Sequence, residues 1–278
     1  MTITSHRDEI AAALNSTSSA AQLEAIARIA ANPAAPLAEA VRDAILRCLG
    51  AESKSVRRRA AEAAARAAQH DRRLIARLHA LIDNGTPRER FCAAYALSLC
   101  GGGALDLRAA AALFEALGDA DGDVRWAAHD LLMRLGAEYP PQIRAGLLAI
   151  AESGAPDARK MALYCLRDLA PDGPDVLRAA LSAGGAANTH VRLASLAILA
   201  RLPAFRADAS EAAARMLERD PVPGVRRAAA AALGLIGEGS PGVLESLGRA
   251  ARDELDSALS RAARAALIRI AQGQAGRK

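Results

Sequence analysis

The sequence predicts an all-α protein, a right-handed α-solenoid (an α-α superhelix) of about eight stacked helix pairs. The first observation is a repeated segment, Val-Arg-x-Ala-Ala-x-x-x-Leu-x-x-Leu-Gly, which is clearest at Val124–Gly136 and Val225–Gly237. The second is composition: hydrophobic residues make up 52% of the chain but aromatic residues only 3%. Alanine, the best helix former, supplies most of that apolar surface.

The repeat has a regular period. When each segment is aligned on its first position, here called the anchor, successive anchors lie 33 to 38 residues apart. A fixed period of this size is the signature of a solenoid, in which each unit packs on its neighbours. We therefore predict one domain over residues 1–278, with a disordered tail at 272–278. The eight anchors are Ser18, Val56, Glu89, Val124, Ala158, Val191, Val225 and Leu259.

Each unit is predicted to hold two helices. Positions 0, +3, +4, +7, +8 and +11 from the anchor are mostly Val, Ala, Leu or Ile, and they fall on one face of a helix. This pattern predicts the buried face of the second helix, which begins after a capping residue at position −3, such as Ser53 or Thr86. The first helices are expected at roughly 6–14, 37–49, 71–83, 105–117, 140–152, 173–182, 207–219 and 240–252.

The motif resembles a bacterial HEAT repeat, most clearly from Asp121 to Ala128. This resemblance covers nearly the whole chain and implies that the second helices line a concave groove. It also implies that the arginine at +1 forms a structural ladder that bridges acidic groups of its own or the adjacent unit. The functional alternative is a row of guanidinium groups that bind phosphate. The six ladder arginines are Arg57, Arg90, Arg125, Arg159, Arg192 and Arg226.

The groove-facing stripe of the second helices is expected at +2, +5, +6 and +9, opposite the buried face. In units three to five this stripe carries four of the seven aromatic residues, beside charged side chains and a methionine. Such a composition is typical of protein-binding hot spots, although the rings could instead fill gaps between units. The predicted partner-binding residues are Phe91, Tyr95, Trp126, His129, Asp130, Met133, Lys160, Tyr164 and Arg167.

Positive charge is concentrated in unit two. Between Lys54 and Arg90 there are ten basic and four acidic residues, whereas the whole chain carries a net charge of only +5. A basic patch attracts nucleic acid or an acidic protein, but an arginine-rich solvated helix face produces the same pattern. The patch residues are Arg57, Arg58, Arg59, Arg66, Arg72 and Arg73.

The sequence contains few patterns that indicate catalysis. The histidines are scattered, and the glycines at 101–103 and 184–185 lack the Lys-Ser/Thr of a phosphate-binding loop. The four cysteines form no CxxC motif, and those that fall in the repeats occupy core positions, which favours buried thiols in a reducing compartment. We therefore expect no catalytic centre, no metal site and no cofactor. The cysteines are Cys48, Cys92, Cys100 and Cys165.

Two enzyme families of HEAT-like fold provide alternatives. Alkylpurine DNA glycosylases use a groove Trp with an Asp one turn later, a spacing that Trp126 and Asp130 share, but this chain has one Trp where that family has several. The phycobilin lyase family is also built of HEAT-like repeats, and no residue here indicates a bilin site. A shared fold does not transfer function.

The predicted function is therefore a non-catalytic scaffold or adaptor that binds a protein or peptide partner in the groove. Nucleic-acid binding by the basic patch is the alternative. The first ten residues contain no signal-like apolar stretch, and no window approaches about 18 uninterrupted apolar residues. We expect a cytoplasmic protein without a membrane partner.

Overall fold

A computed structural model of the chain describes residues 3–169 and 172–275, and within these ranges it contains sixteen α-helices and no strand. The helices form eight consecutive pairs, as predicted. In chain order they are α1 (Ile3–Leu14), α2 (Ser19–Ala31), α3 (Glu39–Arg47), α4 (Lys54–Ala68), α5 (Arg72–Asn84), α6 (Pro87–Cys100), α7 (Ala110–Ala116), α8 (Gly122–Glu138), α9 (Pro140–Ser153), α10 (Pro156–Leu169), α11 (Pro174–Gly184), α12 (Thr189–Leu199), α13 (Arg206–Arg219), α14 (Pro223–Ile236), α15 (Pro241–Ala251) and α16 (Ser257–Ala275). Short 3₁₀ turns occupy Cys48–Gly50, Leu107–Ala109 and Pro203–Phe205.

Contacts divide the chain into two compact units, which are described separately. From here on, unit 1 and unit 2 denote these compact units, and the eight repeated helix pairs are called repeats one to eight. Unit 1 comprises Met1–Ala116 with Asp130–Leu135, and unit 2 comprises Leu117–His129 with Gly136–Lys278. The single domain expected over 1–278 stays a prediction. The disordered tail expected at 272–278 also stays a prediction, and α16 continues to Ala275. Residues 276–278 lie outside the described part of the chain.

Side-chain caps fix the start of several second helices. The Ser53 hydroxyl accepts a hydrogen bond from the Val56 backbone N–H. Thr86 and Glu89 form a reciprocal capping box at the start of α6. These bonds satisfy amides that the first helical turn leaves without a partner. The first repeat departs from the predicted pattern, because Ser18 rather than a residue at position −3 caps α2.

The core lies along the predicted apolar face. In α14, for example, Val225, Ala229, Leu233 and Ile236 are all buried. Small side chains let neighbouring second helices approach closely, and Gly234 marks the tightest approach to α16. A Cβ added there would lie 2.9 Å from the Cα of Ala266, closer than real side chains tolerate.

The arginines at +1 bind backbone oxygens as well as acidic groups. Arg57 donates through Nη1 to the carbonyl oxygens of Ala51 and Glu52, at 2.8 Å each. The same Nη1 geometry, with carbonyls five and six residues earlier, recurs at Arg125 and Arg192. These carbonyls lie beyond the end of the first helix, where no helical N–H is available to them.

The other ladder arginines bind different acceptors. Arg226 donates to the carbonyl of Asp220 at 3.0 Å, and Arg159 to that of Ala151 at 2.9 Å. Acidic side chains are partners for Arg90, which pairs with Glu115, and for Arg192. Backbone oxygens are thus acceptors for five of the six ladder arginines, beside the acidic partners of Arg90 and Arg192.

Of the three cysteines predicted to occupy core positions, Cys92 and Cys165 are buried and Cys100 is half-buried. Cys48 is also buried, and none of the four forms a disulfide. Burial raises the pKa of Cys48 and of Cys92 to about 11. In the described ranges, no helix combines the length and apolar character needed to cross a membrane.

Candidate functional site

The exposed stripe of the second helices differs from the predicted one at three positions. Position +9, expected in the groove, is buried in the second and seventh repeats and half-buried in the third to sixth. Position +5, expected in the groove, is buried in repeats two to seven. Position +10, which the repeat pattern places on neither face, is exposed in every repeat from two to eight. We use the name exposed stripe for positions +2, +6 and +10. The +10 residues are Arg66, Leu99, Arg134, Asp168, Arg201, Leu235 and Arg269.

The shift has a packing cause. Several second helices contact not only their own first helix but also the next second helix, as α10 contacts α12, α12 contacts α14 and α14 contacts α16. This extra contact buries the +5 side of the helix and turns the +10 side towards solvent. The sequence contains a signal for the burial of +5 and the exposure of +10. Position +5 is Ala or Leu in five of repeats two to seven, while position +10 is mostly charged.

Unit 1 holds four of the predicted partner-binding residues. Phe91, Tyr95 and Met133 are half-buried, and Asp130 is exposed. Tyr95 lies close enough to Arg58 to interact with its guanidinium. Unit 1 therefore presents partly covered rings rather than an open aromatic surface.

Unit 2 brings the other predicted residues together in a more exposed cluster. The rings of Trp126 and Tyr164 are stacked, with centroids 6.0 Å apart and an interplanar angle of 11°. His129 meets the Trp126 ring edge-on at 5.3 Å. Trp126 is nevertheless 50% exposed. The stack thus holds a large apolar surface in a fixed orientation while half of the indole faces solvent.

A charged pair supports these rings. The Arg167 guanidinium lies 4.9 Å from the centroid of the Tyr164 ring, a cation–π distance. It also donates to both carboxylate oxygens of Asp168, at 2.7 and 2.8 Å. Nε2 of His129 lies 3.1 Å from Asp168 Oδ2. The Arg167 hydrogen bonds, reinforced by His129, hold the pKa of Asp168 below its usual value.

Two predicted contact residues have other roles. His129 was expected to face the groove, but it stands at +5 and is only 7% exposed. It therefore orients Trp126 and Asp168 instead of meeting a partner. Lys160 is largely covered, and its Nζ lies 2.6 Å from Asp157. Asp168, at +10, was missed by the sequence analysis. We call Trp126, His129, Tyr164, Arg167 and Asp168 the aromatic cluster.

An aliphatic groove continues from this cluster along unit 2. It has a volume of about 530 Å³, and Arg167 and Asp168 belong to its lining as well as to the aromatic cluster. Leu235, at +10 of α14, is 65% exposed there. The exposed cation Arg201 also lines it. The aliphatic lining includes Leu193, Leu196, Ala197, Ala200, Ala231 and Leu235.

The predicted basic patch in unit 1 is largely neutralised or divided. The guanidinium of Arg57 is engaged by backbone carbonyls. Arg58 and Arg59 share the carboxylate of Glu62, at 3.1 and 3.0 Å. Arg66 is exposed on α4, whereas Arg72 and Arg73 are exposed on α5, the first helix of the next pair. The patch is therefore distributed over two helices and partly paired with acid.

The chemistry available in the aromatic cluster and the aliphatic groove is that of a binding surface. Stacked rings, aliphatic side chains and fixed guanidinium groups can take up an apolar side chain and an anion. Within the residues that the structure describes, no group of three or more His, Cys, Asp or Glu side chains could hold a metal ion.

Comparisons with known proteins identify the fold. No protein-family model and no curated protein sequence matches this chain. A crystal structure of a Kap121p mutant is 14% identical in sequence, and the match covers 98% of this chain and 34% of that one, with a TM-score of 0.67. The chain has a HEAT-like helical repeat fold. The predicted fold class is thereby confirmed, and at this identity the likeness extends to the fold alone.

Two further solved structures are similar at lower scores. An engineered protein is 20% identical, with 95% of this chain and 78% of that chain covered and a TM-score of 0.45. Human deoxyhypusine hydroxylase in complex with glycerol is 19% identical, with 96% of each chain covered and a TM-score of 0.40. Neither score is high enough to carry an argument about function.

Proposed function

We propose that this HEAT-like protein is a non-catalytic scaffold or adaptor that binds a segment of a partner protein on the second helices of unit 2. The single observation that supports this most is the half-exposed Trp126, stacked on Tyr164 beside an aliphatic groove. Exposed Trp and Tyr next to Arg are the residues that dominate binding energy at protein interfaces.

The cluster is organised before any partner arrives. Ring stacking, the edge contact of His129 and the bidentate Arg167–Asp168 pair hold these side chains in one arrangement. Side chains that are already ordered lose little conformational entropy on binding. A partner's apolar side chain can therefore pack against Trp126 without first reorganising the surface.

The nucleic-acid alternative has weaker support. Arg58 and Arg59 already pair with Glu62, and Arg57 serves the fold. A glycosylase or a bilin lyase also stays a prediction, since the spacing of Trp126 and Asp130 is the only feature that favours the first and none favours the second. Binding that depends on phosphate neutralisation would weaken steeply with salt.

The experiment uses peptides that are selected on the protein itself. Short random peptides are selected by display on the full-length protein, and their binding to each variant is followed through the fluorescence anisotropy of a dye attached to the peptide. The double variant Trp126→Ala/Leu235→Ala should bind the selected peptides about tenfold more weakly or worse, because hot-spot truncations exceed 1.4 kcal/mol.

The matched control is Leu244→Ala, which truncates a half-exposed leucine on α15, a first helix. It should bind the same peptides as wild type does. Peptides that bind Trp126→Ala/Leu235→Ala unchanged would remove the groove from consideration. A retained ligand that disappears on nuclease treatment, with steep salt dependence, would transfer the function to nucleic-acid binding.

A further inference from the structure

The two kinds of helix in unit 2 differ in charge. The last three second helices, α12, α14 and α16, contain no Asp or Glu, whereas all three contain Arg. Their first-helix partners α11, α13 and α15 each carry acid. The acidic residues of those first helices are Asp175, Asp208, Glu211, Glu218 and Glu245.

Some of the arginines on α12, α14 and α16 bind groups within the fold. Arg192 pairs with Asp220, Arg226 donates to a backbone carbonyl, and Arg264 donates to the carbonyl of Ala251. Arg227 lies 3.3 Å from Asp256. These arginines are structural and cannot be counted as available to a partner.

Two arginines of α16 and one that follows the end of α12 are not used in this way. Arg201, Arg261 and Arg269 are exposed, and among the described residues none of them has a carboxylate partner. Arg201 lines the aliphatic groove directly. Arg261 and Arg269 stand on α16, which packs against the helix that bears Leu235. The exposed face of these helices thus combines aliphatic side chains with uncompensated positive charge.

We propose that the segment bound by this groove is acidic. An apolar side chain of the partner packs on the aliphatic groove at Leu235, and neighbouring Asp or Glu side chains pair with Arg201 and with the arginines of α16. The inference rests on the proposed function and specifies the chemistry of its ligand. Guanidinium groups bind carboxylates with two parallel hydrogen bonds, which adds geometric selectivity to charge attraction.

The aliphatic floor favours a protein segment over nucleic acid. A sugar–phosphate backbone would satisfy the arginines but would leave Leu193 and Leu235 against a hydrophilic surface. An acidic peptide with leucine or an aromatic residue satisfies both components. A second copy of this chain also offers acid on its first helices, so the mass of the protein in solution is part of the test.

The experiment compares peptide selections on wild type and on the charge-reversed variant Arg201→Glu/Arg269→Glu. Both positions are exposed, so the thermal midpoint should be unchanged. Peptides enriched on wild type should be net negative and contain large apolar residues, and they should bind the variant about tenfold more weakly. The variant should instead enrich neutral or basic peptides. Arg178→Glu/Arg252→Glu, an equal charge change away from the groove, is the control and should retain binding.

The outcomes separate the two proposals. Neutral or basic peptides on wild type, or an equal loss in the control variant, would overturn the acidic-partner inference while leaving groove binding intact. Selection of nothing that depends on Trp126 and Leu235 would overturn the proposed function itself. Tighter binding of a single-stranded oligonucleotide than of any selected peptide, or a dimer abolished by Arg201→Glu/Arg269→Glu, would replace the acidic protein segment as the occupant.

Discussion

Arg192 and Asp220 form an almost fully buried ion pair in unit 2. Their side chains are 10% and 4% exposed, and the guanidinium donates to both carboxylate oxygens, at 2.7 and 3.1 Å. Burial acts to raise the pKa of Asp220, but the bonds from Arg192 and from the Val222 backbone N–H outweigh it and lower that pKa. The same two residues line a cavity of about 440 Å³, so their pairing shapes the surface around it.

Replacing Asp220 by Asn should destabilise the protein by about 3 kcal/mol at pH 7, because it leaves the buried Arg192 charge without its counter-ion. A carboxyl whose pKa is lowered by folding stabilises the native state above its unfolded pKa of about 3.9 and loses this effect as pH falls. Wild type should therefore lose stability below about pH 4, and Asp220→Asn should lose less. Urea unfolding of both proteins at pH 7 and at a pH below about 4 measures these changes in the free energy of unfolding. Glu211→Gln, which is exposed, should change neither value, and equal acid sensitivity of Asp220→Asn would contradict the assignment.

At the scale of the element, helix spacing depends on a few small residues. Gly234 sits where α14 meets the backbone of α16, and a methyl group there has no room. Gly242, in the first turn of α15, has nothing within 4 Å of the position where a Cβ would stand. The two glycines therefore make a matched pair in one unit.

Gly234→Ala should destabilise the protein by about 1–3 kcal/mol, because the two helices must separate. Gly242→Ala should be neutral or stabilising by about 0.4–1 kcal/mol, because alanine restricts the unfolded chain more. Thermal and urea unfolding of both variants test this. Equal effects of the two substitutions would show that helix propensity, and not the approach of α14 to α16, governs the response.

The sequence predicts the elements well because their determinants are local. Alternation of apolar residues at helical spacing, with Ser53 or Thr86 before the helix, is written in neighbouring residues and sets helix identity and start. The solvent-facing side of the second helices is harder to predict from the sequence. Whether His129 or Asp168 faces solvent depends on how one second helix crosses the next, and a repeat period alone does not determine that angle.

At the scale of the whole molecule, the main contacts join helices that are one or two places apart along the chain, such as α13 with α14 and α14 with α16. Stability in such an arrangement is a sum over units and their interfaces. A local defect therefore remains local, unlike a defect in a single globular core. The same organisation allows the aromatic cluster of unit 2 to be built from two consecutive second helices, α8 and α10.

Hydrogen exchange of Gly234→Ala tests this independence. Amides of α13 to α16 should exchange about tenfold faster than in wild type, whereas amides of α4 to α6 in unit 1 should be unchanged. Acceleration of the same size in both units would indicate global two-state opening. Wild-type protein under identical conditions provides the reference for every peptide fragment.

The guanidinium groups that bind the turns have a consequence for how this chain can vary. Arg57, Arg125 and Arg192 hold carbonyl oxygens of the main chain, and every amino acid supplies such an oxygen. Turn residues that contribute only these carbonyl oxygens can therefore be exchanged without loss of the hydrogen bonds. In the repeats that carry such an arginine, the angle between the two helices thus depends on that arginine, and variation is left to such turn residues and to the solvent-facing surface.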